Sequence, residues 1–72
     1  MKKYVYQVAG REFVDGAAFG IGWEAAKAAA AELKAPIYRL VIKNDEAVQE
    51  VYIKGGCFIR ADLASNQSIK VF

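Results

Sequence analysis

The chain contains no histidine and only one cysteine, Cys57. Without histidine, no neighbouring imidazole can activate that thiol as a nucleophile. A single thiol cannot form an internal disulfide, and a zinc site needs several histidine or cysteine ligands. The sequence therefore predicts a non-enzymatic protein without metal or cofactor, and the lone cysteine favours a reducing compartment, the cytoplasm.

Charge of one sign and long apolar runs are also missing. Ten basic and eight acidic residues leave a net charge of +2, far from the basic excess that binds nucleic acid through phosphates alone. The first apolar stretch is interrupted by Gln7, and charged residues break the alanine-rich stretch 25–31. Both stretches are well short of the roughly 20 apolar residues that span a bilayer. We therefore expect no export signal and no transmembrane segment.

Apolar residues make up 56% of the 72 positions, which is enough for a core. A chain of this length has room for one domain, 1–72, and buries only about 60% of the surface that its unfolded form exposes. We therefore expect a single domain with a thin margin of stability.

The apolar pattern predicts an α+β fold in the order β-β-α-β-β-β, with one helix on one face of a mostly antiparallel sheet. The first hairpin has a turn of two or four residues after Val8 and ends near Val14. The predicted later strands are 37–43, 48–54 and 57–63, and 69–72 is a candidate short final strand. Tyr4, Tyr6 and Phe13 share one face and are assigned to the core.

The helix is the clearest element of the pattern. A stripe at three- and four-residue spacing predicts its buried face: Phe19, Trp23, Ala26, Ala30 and Leu33. The regular helix is expected to begin near Gly22, because Gly20 and Gly22 disfavour helix, and to end at Ala35–Pro36. Trp23 therefore joins the core.

Two turns decide which residues of the last three strands face the core. The turn Asn44–Ala47 pairs Lys43 with Val48 and sends one set inward: Tyr38, Leu40, Ile42, Val51 and Ile53. A two-residue turn at Gly55–Gly56 would bury the charges of Arg60 and Asp62, which costs several kcal/mol. We therefore predict a three-residue loop with a left-handed glycine, which pairs Ile53 with Cys57 and buries Cys57, Ile59 and Ala61.

The segment Gly20–Ala25 matches the dinucleotide fingerprint G-x-G-x-x-A at a helix start, with Asn44 and Asp45 after the next strand. The context is wrong, because residues 15–19 separate the preceding strand from the first glycine and a hairpin replaces the second βαβ unit. The segment is therefore interpreted as small residues at an irregular helix start, where only a weak, generic anion contact is possible.

A single helix covers one sheet face, and the predicted register assigns a candidate interaction surface to the other: Arg39, Val41, Val48, Tyr52, Phe58 and Arg60. One hypothesis is a protein-interaction module that binds a protein partner or a second copy of the chain. The alternative stacks single-stranded nucleic acid on Tyr52 and Phe58 and holds its phosphates with basic residues: Arg39, Lys43, Lys54 and Arg60. A third interpretation is a solvated face with the function elsewhere. Acidic neighbours, Glu50 and Asp62, make the surface nearly neutral, which favours a protein over nucleic acid.

Overall fold

A computed structural model describes residues 2–72 as one helix on a five-stranded sheet. The elements are β1 (Lys2–Val8), β2 (Arg11–Asp15), α1 (Ile21–Leu33), β3 (Tyr38–Lys43), β4 (Glu46–Tyr52), β5 (Phe58–Arg60) and a 3-10 turn at Ala61–Leu63. The strands lie in the order β2-β1-β3-β4-β5, and every neighbouring pair is antiparallel. The helix packs on β1 and β2. The predicted fold class and element order are confirmed.

Two-residue turns join the two longer hairpins. Ala9 and Gly10 (φ 48° and 85°) pair Val8 with Arg11, and Asn44 and Asp45 (φ 51° and 63°) pair Lys43 with Glu46. Such left-handed turns match the twist of the strands, and Asn and Asp tolerate this conformation. The predicted four-residue turn that pairs Lys43 with Val48 is therefore wrong by two residues. Because side chains alternate with a period of two, a register shift of two residues does not change which side chains of β3 and β4 share a face.

The loop between β4 and β5 has the predicted odd register. Ile53 N–H donates to Cys57 O at 3.0 Å, Gly56 lies in the left-handed region at φ 89°, and Val51 pairs with Ile59. The predicted burial of Cys57 is wrong, because the residue stands at the open end of the loop and is exposed. Ile59 and Ala61 are only partly buried.

The helix begins at Ile21 and ends at Leu33, where Lys34 turns left-handed at φ 53°. Of the predicted stripe, Trp23, Ala26 and Ala30 are buried, together with Ala29. Phe19 is 60% exposed because it precedes the helix, and Leu33 is 39% exposed in the last turn. Their assignment to the core is therefore wrong.

The core lies between the helix and the sheet. Its buried members are Tyr6, Val8, Trp23, Ala26, Ala29, Ala30 and Ile37, and the partly buried side chains packed on them are Tyr4, Phe13, Ala35, Tyr52, Phe58 and Phe72. The prediction that Tyr4, Tyr6, Phe13 and Trp23 belong to the core is confirmed. Alanine on the buried helix face lets the helix approach the sheet closely.

The pairing between β1 and β3 corrects the predicted core. Tyr6 is opposite Arg39, and Val5 is opposite Leu40. Odd-numbered residues of β3 therefore share the face of Tyr6, while Tyr38, Leu40 and Ile42 point to the face without a helix. Their predicted place beneath the helix is wrong. Val51, predicted to lie in the core with them, is fully buried, although it is on the same side of the sheet as Leu40. No tight turn joins β1 to β3, so turn chemistry does not determine which face of β3 joins Tyr6.

The last residues run beside the end of β4. Ile69 forms an isolated antiparallel bridge with Ile53, and Lys70 N–H donates to Tyr52 O at 3.1 Å. Phe72 stacks on Tyr52, with ring centroids 5.7 Å apart. The candidate final strand is thus a single bridge followed by an aromatic contact with the core.

Candidate interaction surface

An aromatic cluster lies beneath the start of the helix. The Trp23 ring stands 5.6 Å from Tyr6, 5.1 Å from Tyr52 and 5.5 Å from Phe58, measured between ring centroids. These tilted and edge-to-face arrangements are the favoured geometries of packed aromatic rings. Tyr52 and Phe58, which were predicted to lie on the uncovered face, are therefore partly buried against the helix. The register of β1 with β3 is the physical reason for this correction.

Arg39, on β3, packs against the same cluster and forms an ion pair beside it. Its Nε donates to Glu50 Oε1 at 2.7 Å, and its guanidinium carbon lies 4.0 Å from the centre of the Phe58 ring. Only 12% of the Arg39 side chain and 21% of the Glu50 side chain are exposed. A shielded ion pair stacked on aromatic rings fixes packing. The predicted place of Arg39 on an open surface is wrong.

Val41, Val48 and Arg60 lie on the helix side of the sheet, beyond the area that the helix covers. Val48 is 42% exposed, and Arg60 donates to Asp62 at 2.9 Å in a pair whose side chains are both 61% exposed. Val41 and Val48 pair directly. They contribute to a shallow depression of about 380 Å³, lined in full by Lys2, Val41, Lys43, Asn44, Glu46 and Val48. The six residues of the predicted surface are therefore separated. Arg39, Tyr52 and Phe58 pack in or beside the core, and the other three lie on the part of the helix side that the helix does not cover.

The opposite side of the sheet is the helix-free face. Its first cross-strand row runs Val14–Val5–Leu40–Gln49, its second runs Glu12–Gln7–Tyr38–Val51–Ile59, and its third runs Lys3–Ile42–Ala47. Lys3 and Glu12, at the rim, are the only charged strand residues on this face among residues 2–72. All other charged strand residues lie on the helix side. This distribution is unusual, because an uncovered sheet face is ordinarily polar.

Four apolar side chains on β2, β1 and β3 form the open patch of this face: Val5, Val14, Leu40 and Ile42. Val5 is directly opposite both Val14 and Leu40, and Ile42 follows Leu40 by one strand repeat. Val14 is 60% exposed, and the other three are partly exposed. The open patch therefore offers contiguous apolar surface without a charge inside it.

The end of the helix-free face near β5 is closed by the chain itself. Arg60 pairs with Glu50 on one side of β4, whereas Lys70 bonds to Tyr52 on the other side, so the connection between them crosses the strand. Val51 lies in the crossed part of β4 and is fully buried, and the 3-10 turn packs on the same strand. The open patch lies beyond this crossing, on β2, β1 and β3.

The G-x-G segment has a structural explanation. The Asp15 carboxylate accepts hydrogen bonds from Ala17 N (3.1 Å), Gly20 N (2.9 Å) and Trp23 N (3.2 Å). A Cβ at Gly20 would stand 2.6 Å from Asp15 Oδ1, and one at Gly22 would stand 2.9 Å from Val14 O. The two glycines thus allow the strand end to approach the helix. Asp15 already occupies the anion position at the helix N-terminus.

Two titratable groups near the helix start have shifted pKa values. The pKa of Asp15 lies below its ordinary 3.8, chiefly because the backbone N–H of Ala17, followed by those of Trp23 and Gly20, stabilises the carboxylate. Burial raises the pKa of Tyr6 above 10.0. The Tyr6 hydroxyl donates to Ala18 O and accepts from Arg39 Nη1 at 3.4 Å. Both groups tie the loop before the helix to the sheet.

The residues that the structure describes include neither a metal-binding cluster nor a membrane-spanning helix. Within residues 2–72, no group of three or more acidic or cysteine side chains is placed to hold a metal ion. No helix in this part of the chain is long and apolar enough to cross a membrane. No family model, curated protein or solved structure matches the chain.

Sequence reasoning predicted an uncovered sheet face but assigned the wrong residues to it, because it placed Leu40 and Ile42 in the core. One signal was present: Leu40, Val41 and Ile42 are consecutive apolar residues in β3. A strand with apolar side chains on both faces needs cover on both faces. Because the pattern predicts one helix, it already indicated that one face of β3 would lack cover.

Proposed function

We propose that this chain is a non-catalytic protein-interaction module and that its binding surface is the helix-free face of the sheet. The observation that carries the proposal is the open patch, where Val5, Val14, Leu40 and Ile42 are contiguous and uncharged. Contiguous exposed apolar surface costs solubility and usually marks a contact with another protein. The lone thiol, which cannot form an internal disulfide, supports a cytoplasmic site of action.

The alternative, single-stranded nucleic acid, has weaker support. Base stacking needs open aromatic rings beside unpaired basic side chains. Tyr52 and Phe58 instead pack on Trp23, and Arg39 is paired with Glu50. The open patch offers aliphatic side chains, with one lysine at its rim. These residues suit a protein surface better than a phosphate backbone.

Site-specific photocrosslinking in the cells that produce the protein tests the proposal. A photoreactive residue at position 14 reports on the helix-free face, and one at position 21 is the matched control, because Val14 and Ile21 are 60% and 88% exposed. We expect discrete protein adducts from position 14 and none from position 21. Adducts that a nuclease removes would favour the nucleic-acid alternative. No adduct from position 14, or equal adducts from both positions, would contradict the proposal.

A further inference from the structure

We propose that the occupant of the helix-free face is a second copy of this chain, packed sheet against sheet about a two-fold axis. This inference rests on the proposed function, because it names the partner of the same surface. A sheet that is apolar on both faces forms part of two cores. One copy supplies a helix for one face only, and a second copy would supply an identical apolar layer for the other.

The size of the face limits a dimer of this kind to a small interface. Five strands about 4.8 Å apart, the longest of seven residues, make a face about 20 Å along each side between backbone atoms. A specific interface takes about 600–1,000 Å² from each partner. The C-terminal crossing over Val51 covers one end, so only part of this small face is open to a partner. A modest and concentration-dependent dimer is therefore expected.

The two charges at the rim of this face, Lys3 and Glu12, would attract each other across a symmetric dimer. Lys3 lies at one end of the strands, and Glu12, which pairs with Gln7, lies toward the other end on the neighbouring strand. A two-fold axis in the plane between the sheets, perpendicular to the strands and passing near Val5, reverses the strand direction. It brings Lys3 toward Glu12 of the partner subunit, twice by symmetry. Both side chains are exposed.

The interior of this arrangement contains no charge to be buried. Val5 and Leu40 stand in the central row, and Val14 and Gln49 end it on either side. Facing sheets pack about 10 Å apart with their side chains interdigitated. The amide of Gln49 can donate and accept hydrogen bonds across the symmetric contact. By contrast, the helix side has both signs of charge around Val41 and Val48.

Sedimentation equilibrium of the purified chain over a range of concentrations tests the inference. We expect the mass to rise from 7.9 kDa toward twice that value. Leu40→Asp should remain monomeric at every concentration, and Val48→Asp, on the helix side, should associate like the wild type. Circular dichroism checks that each variant is folded. Should Leu40→Asp not fold, Val14→Asp, at a more exposed position of the same patch, replaces it.

Charge reversal at the rim tests the orientation. Lys3→Glu places two acids together at each end of the interface and should raise the dimer dissociation constant about three- to tenfold. The double variant Lys3→Glu with Glu12→Lys should restore the affinity. Weakening without restoration would contradict the proposed axis.

The failure of this inference can be distinguished from the failure of the proposed function. A wild-type chain that stays monomeric at all concentrations, or a dimer that Leu40→Asp leaves intact, would overturn the homodimer. If position 14 nevertheless crosslinks to a different protein, the interaction module stands with another occupant. If neither association nor a crosslink occurs, both proposals fall.

Discussion

The two faces of the sheet differ in the kind of residue they carry and in what covers them. The helix side holds the aromatic cluster, the Arg39–Glu50 ion pair and almost all the charged strand residues. The helix-free face holds aliphatic side chains with charges only at its rim. The face that looks more polar in sequence is thus the covered one, because aromatic rings and an ion pair pack beneath the helix.

A charged residue in a strand does not by itself indicate the solvent side of a sheet. Arg39 is surrounded by rings on the helix side, and its guanidinium is satisfied by Glu50, which is opposite in the next strand. A paired and stacked guanidinium tolerates partial burial. Leu40 and Ile42, which are apolar, stand on the face that the helix leaves open.

Truncating one large side chain on each face should give the largest difference in the free energy of unfolding. Trp23→Ala should lower the free energy of unfolding by about 3–5 kcal/mol, because the ring touches four other aromatic side chains. That loss is comparable to the whole stability of a small domain. Leu40→Ala in dilute solution should cost about 1 kcal/mol or less. Urea unfolding followed by circular dichroism measures both, and equal losses would contradict the assignment of the two faces.

The ion pairs provide the second comparison. Glu50→Ala leaves Arg39 partly buried without its partner, and we expect a loss of about 1–3 kcal/mol. Asp62→Ala is the matched control, because it removes an arginine–carboxylate pair of similar length at exposed positions. Its expected cost is below about 0.5 kcal/mol. Similar effects of the two variants in chemical denaturation would show that Arg39 is not shielded by the cluster.

The Asp15 carboxylate makes the attachment of the helix dependent on pH. Its folded pKa is lower than its ordinary 3.8, so its contribution to stability is fully present above the unfolded value. The contribution disappears as the pH falls through the folded value. Asp15→Ala should therefore be less stable than the wild type at neutral pH, by less than the loss in Glu50→Ala. Thermal melts should show the difference narrowing in acid, whereas a constant difference would contradict the hydrogen-bond account.

Cys57 carries the smallest expected effect. The residue is exposed, so a thiol reagent should label it rapidly in the folded protein. Cys57→Ser should change the free energy of unfolding by less than about 0.5 kcal/mol. Slow labelling that accelerates only in denaturant would restore the original prediction of a buried thiol.

Local patterns were sufficient to predict most elements of this fold. The stripe at Trp23, Ala26 and Ala30 predicted the helix, and the need to keep Arg60 out of a core predicted the loop register at Gly56. Both depend on residues close together in sequence. The Asn44–Asp45 turn was misjudged by two residues, since either loop length satisfies the same apolar alternation.

The candidate surface could not be derived in the same way. Whether Arg39 or Leu40 shares the face of Tyr6 depends on pairing between β1 and β3, which the intervening helix separates by about thirty residues. No turn residue limits that pairing, and β3 is apolar on both sides. The open patch is therefore a tertiary property. Only the consecutive apolar residues Leu40, Val41 and Ile42 signalled that a second face needed cover.

Proton–proton contacts of the Trp23 indole, measured by nuclear Overhauser spectroscopy, show directly which face of the sheet the helix covers. The indole lies about 5–6 Å, between ring centroids, from Tyr6, Tyr52 and Phe58, so cross-peaks to these rings are expected. No cross-peak should link Trp23 to the methyl groups of Leu40 or Ile42. Contacts from Trp23 to those methyl groups, with none to Tyr52 and Phe58, would show that the helix covers the other face.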